Sequence, residues 1–328
     1  MVSAGMAARP LVVSSGFTTI DIRLGAELIA SPGGTATNVA RALTSLGWRS
    51  TMVGTVGSDP GAHLIKRVLD ADGVQNDDLV SDSSWLTPVL LQVTAESRHS
   101  WEYNCPICGA RYAKHRPPAE ARAHSLVGRM TAPDVFFFDR TSLFTIALAR
   151  AWSAAGTLVV FEPATLGRPH LFEQALAVAD LVKFSSERRR TFERLIDGAP
   201  ISQVETLGVD GARYRGANQE NWHYVPGSEV VKVIDTVGAG DWTTAGIIDS
   251  LWSSRDGDAL RIDSDSISEA LARGQALGAA ACGWSGVFDG GIEALNPDEL
   301  EAFACPRLLR QESPDHADSG VVSHLATR

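Results

Sequence analysis

The sequence predicts an α/β fold, a doubly wound and mostly parallel sheet flanked by helices, with a small β lid. Three observations predict it. Short strand-like apolar runs alternate with stretches whose small and apolar residues recur at helical spacing. Glycines punctuate the ends of these stretches, as at Gly16, Gly47 and Gly73. A third of the way along, a polar, aromatic and basic segment over residues 96–118 breaks the alternation, which then resumes.

In order, residues 11–15 read as a buried strand ending at Gly16, and residues 17–31 are weakly patterned up to the break Pro32-Gly33-Gly34. Residues 37–46 read as a helix stopped by Gly47, and 50–56 as a strand. Residues 59–70 read as a helix with Pro60 in its first turn. A strand over 88–95 leads into the 96–118 segment, taken as an insertion or lid. Strands over 135–138, 157–161 and 181–184 then alternate with helices over 143–155 and 171–178. A strand over 204–209 precedes a hairpin-like stretch through Tyr214 and Tyr224. Helices follow over 240–252, directly after a glycine-rich turn, and over 267–282. The expected domain is 1–307, with lid segments at about 17–36 and 86–116 and a disordered tail over 308–328.

Composition bounds the function. Hydrophobic residues make up 44 % of the 328, enough for a large core. Lys plus Arg total 29 against 39 Asp plus Glu, so the formal charge is −10, which opposes nucleic-acid binding. No apolar run approaches the ~20 residues that span a bilayer, and no secretory pattern opens the chain. With four cysteines in a chain this long, reduced thiols and a cytoplasmic location are expected.

The strongest motif is Asp235-Thr236-Val237-Gly238-Ala239-Gly240-Asp241 at the start of a helix. Gly238, Ala239 and Gly240 let successive N–H groups turn inward as an anion nest, to which the helix adds its positive end. A carboxylate at Asp241, beside a nest for phosphate, suits a base that takes the proton of an attacking hydroxyl.

Here the sequence resembles the ribokinase (PfkB) family of carbohydrate and nucleoside kinases. Residues 235–241 match the family's D-T-x-G-A-G-D signature in full. Gly33, Gly34, Asn38, Ala40, Leu46 and Gly47 match its N-terminal pattern, and Thr206, Gly208 and Gly211 match T-x-G-x-x-G after a strand. The resemblance spans residues 11 to about 290 and implies an ATP- and Mg²⁺-dependent carbohydrate kinase. It implies that Asp241 is the catalytic base, that the Gly238, Ala239 and Gly240 amides form the anion hole, and that Thr206, Gly208 and Gly211 line the nucleotide site. It also implies that Asp21, Gly33, Gly34 and Asn38 hold the hydroxyls of the substrate.

Two departures stand out. Where the family carries N-x-x-E, tied to magnesium and phosphate, this chain has Ser185-Ser186-Glu187-Arg188, which leaves Ser185 and Glu187 as the candidates on the phosphate side. Where many sugar kinases have Asp-Pro-Asn, it has Glu162-Pro163-Ala164. The expected partner is a small sugar or nucleoside, with neither nucleic acid nor membrane, and the lid is the expected face for a homodimer. A nucleoside kinase, or a non-catalytic ligand-binding regulator on a kinase scaffold, are the competing readings.

Cys105-Pro106-Ile107-Cys108-Gly109 has the form of half a zinc knuckle. Structural zinc takes four ligands. His99 and His115 are the nearby candidates, and Cys282 and Cys305 are distant in sequence.

Overall fold

A computed structural model describes residues 9–24, 28–95, 98–255, 262–288, 293–295 and 297–311. Its main sheet contains β1 (Leu11–Ser15), β4 (Arg49–Val56), β5 (Leu79–Ser81), β8 (Val135–Phe138), β9 (Leu158–Phe161), β10 (Leu181–Ser185), β11 (Ser202–Thr206), β12 (Ala212–Arg215) and β13 (His223–Val225). The spatial order is β13-β12-β11-β10-β9-β8-β1-β4-β5. The strands from β11 to β5 pair in parallel, and β12 and β13 close one edge as an antiparallel hairpin.

The strand side chains alternate between two cores. Phe136 and Phe138 face a layer built with α3 (Glu120–Arg129), α4 (Leu143–Ser153), α5 (Pro169–Leu176) and α6 (Ser186–Ile196). Phe137 faces the other layer, with α1 (Thr35–Ser45), α2 (Pro60–Asp72), α7 (Ala239–Ser253) and α8 (Ser264–Ala281). Local chemistry sets the boundaries. Asp59 Oδ1 accepts from the Ala62 N–H at 2.9 Å and Pro60 opens α2, while Gly73 ends it at φ 79°.

A second sheet lies in the order β14-β3-β2-β6-β7, from β2 (Thr19–Leu24), β3 (Leu28–Gly33), β6 (Val89–Ala95), β7 (Arg98–Glu102) and β14 (Glu293–Leu295). It is the lid, and it is mixed, because β2 and β6 run parallel.

The structure corrects several sequence expectations. The expected lid segment after Gly16 holds two strands that the weak patterning did not mark, and Gly33 belongs to β3 rather than to a break. Period-two burial is faint there because the lid sheet is only partly covered. The 96–118 segment, read as an insertion or lid, contributes β7 to the lid sheet. The strand β14 joins the lid from far along the chain, and α3, rich in polar residues, lay outside the expected elements. The helix α10 (Pro306–Gln311) carries regular structure past position 308, where a disordered tail was expected to begin. Residues 312–328 of that expected tail lie outside the described residues. Among the described residues no helix is long and apolar enough to cross a membrane.

Candidate active site

The carboxyl ends of β1 and β8 meet where the strand order reverses, the place where doubly wound sheets bind ligands. Two glycines make the approach there possible. At Gly16 (φ 145°) a Cβ would fall 1.7 Å from Asp139 Oδ1. The carboxylate thus packs on bare backbone, and Asp139 accepts from the Phe17 N–H at 2.8 Å and from Arg140 at 2.8 Å. At Gly34 (φ 91°), which caps α1, a Cβ would lie 2.1 Å from the Phe17 carbonyl oxygen.

The glycine-rich turn and α7 bring up Asp241. Asp235 shapes the turn by accepting from the Val237 N–H at 3.0 Å and the Gly286 N–H at 3.2 Å. Gly238 caps α7 at φ 81°, where a Cβ would strike Val287 at 2.5 Å. The Ala239 N–H reaches back to the Thr236 carbonyl over a long 3.3 Å, and the next turn position is Gly240. Asp241, in the first turn of α7, accepts from Asn38 Nδ2 at 2.7 Å.

Behind this turn stands a group that the sequence reading did not select. Lys183 Nζ on β10 donates to Glu162 Oε1 at 2.7 Å and to the Gly240 carbonyl at 3.1 Å. Thr244 Oγ1 donates to Glu162 Oε2 at 2.6 Å. Both members of the ion pair are buried. Glu162, seen in the sequence as a departure, therefore fixes the lysine that braces the turn. A buried lysine inside a strand was the available signal.

The electrostatics follow from this crowding. The Asp241 carboxyl is pushed up to about 7, first by burial and then by Glu162, while Asn38 and Lys183 pull it down and Asp139 adds to the rise. Asp21 on β2 is also raised to about 7, by burial and then by Asp241. Burial raises Asp139 as well, against the pull of Arg140, and the exposed Arg188 on α6 also pulls it down.

Asp21 packs over Gly33, where a Cβ would lie 2.1 Å from Asp21 Oδ2. Asp21 Oδ1 and Asn38 Oδ1 are buried acceptors without a hydrogen-bond partner, as are the hydroxyls of Thr18 and Thr37 nearby in sequence. Among the sequence-selected residues, Asp21, Gly33, Gly34, Asn38 and the 238–241 turn thus come together.

Thr206 ends β11 and pairs in register with Ser185 at the end of β10. Its hydroxyl reaches the Phe184 carbonyl at 3.5 Å. Gly208 and Gly211 bracket the following turn at φ 65° and 105°, and Gly211 lies against the Val225 carbonyl and the Gly227 amide. Glu187 is exposed in the first turn of α6. Cys105 and Cys108 sit in the turn after β7 beside Cys305. His115, a sequence candidate for a ligand beside them, instead meets Phe17 edge-on, with ring centroids 6.3 Å apart. Burial and then Arg140 hold its imidazole down to about 3. His99 lies on β7, its side chain outside the described residues.

The sequence model of the pfkB family of carbohydrate kinases matches residues 13–186 and 202–293. The chain is 27 % identical over 312 residues to probable fructokinase-5 of Arabidopsis thaliana, covering 84 % of this chain and 92 % of that one. It is 25 % identical over 307 residues to aminoimidazole riboside kinase of Salmonella typhimurium, covering 85 % and 90 %. The crystal structure of fructokinase from Vibrio cholerae, in fructose, ADP and calcium ion bound form, superposes with a TM-score of 0.68 at 22 % identity, over 90 % of this chain and 99 % of that one. The chain belongs to the pfkB family of carbohydrate kinases.

Proposed function

We propose that the chain transfers the γ-phosphoryl group of ATP to a hydroxyl of a small sugar or riboside, with Asp241 as the base. The observation that carries the reading is the set of buried, unpartnered acceptors Asp21 Oδ1 and Asn38 Oδ1 next to a base that opens a helix. Unpartnered buried acceptors are costly, and polyol hydroxyls supply the donors they lack. The names of the relatives, a fructokinase and a riboside kinase, agree with that substrate class.

In this reading Asp21 and Asn38 orient the sugar under the lid. Asp241, raised to about 7, is close to the proton affinity that suits a base at neutral pH. The attacking hydroxyl gives its proton to Asp241 as its oxygen bonds the γ-phosphorus and the bond from that phosphorus to the bridging β-phosphate oxygen breaks, with ADP leaving. The charge on the transferring group is met by the first-turn amides of α7, with Gly238, Ala239 and Gly240 as the anion hole. Lys183 holds that turn through the Gly240 carbonyl. The nucleotide lies along the ends of β10 and β11, against Ser185, Thr206, Gly208 and Gly211, with Glu187 and Arg188 on the phosphate side.

The acidic groups suit a hydrated magnesium ion. Each oxygen of Asp139 and Glu162 accepts a hydrogen bond and keeps a second lone pair, so both can orient waters around Mg²⁺ without losing Arg140, Lys183 or Thr244. Bound there, the ion would neutralise phosphate charge. Water is excluded as a competing acceptor by the lid sheet over the sugar.

The test is an ADP-release screen of the purified protein against sugars and ribosides, fructose included. Turnover with at least one supports the reading. ATP binding with no turnover on any member would replace it with a non-catalytic binding role.

A further inference from the structure

The sequence separates Cys105 and Cys108 from Cys305 by nearly two hundred positions, yet the fold sets their sulfur atoms within 4.8 Å of one another. We propose that Cys105, Cys108 and Cys305 bind one structural Zn²⁺, which fastens the arm of the lid to the C-terminal helices.

Geometry supports it. Zinc–sulfur bonds of about 2.3 Å in a tetrahedron place thiolates about 3.8 Å apart, so the three sulfurs need draw in by no more than about 1 Å. Cys105 and Cys108 occupy a tight turn. The Gly109 N–H donates to the Cys105 carbonyl at 2.9 Å, the Cys105 N–H donates to Ala110 at 2.8 Å, and Gly109 holds φ 70°. This turn presents both sulfurs to one side, as a two-residue spacer must for a shared metal. Cys305 stands between α9 (Pro297–Ala304) and α10, anchored by its N–H to the Glu301 carbonyl at 3.0 Å.

Backbone amides of Ala110 and Arg307 border Cys108, and those of Leu308 and Arg307 border Cys305. Three thiolates around Zn²⁺ leave one excess negative charge, which such amides would offset. The Tyr112 hydroxyl is buried, lacks a partner, and faces the Cys105 sulfur. A thiolate there supplies a strong acceptor for it. Cys108 is half-buried, which leaves room for a solvent oxygen as the fourth ligand.

The role is structural. The cluster joins the stretch after β7 to a segment whose Leu300, Ala304 and Cys305 enter the core beside α2. Cys282 takes no part; its thiol lies near Asp235.

Elemental analysis of the purified full chain, grown with zinc, is expected to give one equivalent per chain. Cys105→Ser, Cys108→Ser and Cys305→Ser each lose it, and Cys282→Ser keeps it. Chelation lowers Tm and speeds proteolysis between β7 and α3. If a serine variant fails to fold, cobalt titration of the metal-stripped wild type reads the site independently, through thiolate-to-cobalt absorption. Trace metal with no cobalt spectrum, or an intact mass showing a disulfide among these cysteines, would overturn the proposal.

Discussion

Asn38 Nδ2 donates to Asp241 Oδ2 at 2.7 Å, so a residue from the first helix after the lid holds the carboxylate that opens α7, some two hundred positions away. Replacing Asp241 with Asn keeps size and a hydrogen-bonding oxygen but removes the proton acceptor. The expected loss in kcat is on the order of 10³-fold, with ATP affinity little changed. Steady-state kinetics with calorimetric titration of ATP checks both. Near-normal turnover would remove Asp241 from the role of base.

Activity should fall on the acid side. As the proposed base Asp241 works deprotonated, and its carboxyl is pushed up to about 7, so kcat/KM is expected to drop about tenfold per unit below that pH. Because the Asn38 donor lowers the Asp241 pKa, Asn38→Ala should move this acid limb to higher pH as well as slowing turnover. A pH profile that stays put in Asn38→Ala would mean the bond does not govern the base.

Stability without substrate should run the opposite way from that of a salt-bridged acid. Asp21 and Asp241 have folded-state values of about 7 against 3.8 for the unfolded chain, so the folded state binds more protons between those values. Stability therefore declines as pH rises through this window and levels off above it. Asp21→Asn removes one such burden and should raise Tm at pH 8 more than at pH 4. Thermal melts at the two pH values decide it, and an equal shift at both would refute the assignment.

Lys183→Met leaves Glu162 buried with only Thr244 as its partner, and leaves the Gly240 carbonyl with the Thr244 hydroxyl but without the ammonium. Breaking a buried pair in this way costs about 3–5 kcal/mol. The double variant with Glu162→Gln should recover part of the loss in Tm but little activity, because the turn at Gly240 still lacks its lysine. Denaturant melts of the single and double variants test the coupling.

Gly33→Ala places a methyl 2.1 Å from Asp21 Oδ2 and must displace that carboxylate. The expected result is a KM for the sugar raised by tenfold or more, with the KM for ATP nearly unchanged. Parallel rises in both constants would mean that Asp21 does not hold the sugar.

Much of this molecule could be read from sequence because its signals are local. The apolar runs at 135–138 and 181–184 and the glycine turn before α7 depend on neighbours along the chain, and they appear as strands β8 and β10 and as the cap of α7. Asp21, Asn38 and Asp241 were selected by motif, and the fold places them together. What escaped was non-local. Glu162 and Lys183 acquire meaning only when β9 lies beside β10 in the sheet, which no spacing along the chain reveals. The lid strands β2 and β3 lack strong alternation, and β14 reaches the lid from the far end of the chain. Cys305 meets Cys108 for the same reason.

The lid strand β3 ends at Gly33, and Gly34 already caps α1. No slack loop separates the cover of the site from the helix that carries Asn38. Any tilt of the sheet is handed to the first turn of α1 as to a rigid lever, and from there to the carboxylate of Asp241. The position of the lid and the proton affinity of Asp241 are thereby tied to one another by the connectivity of the chain, since the Asn38 bond lowers that carboxyl.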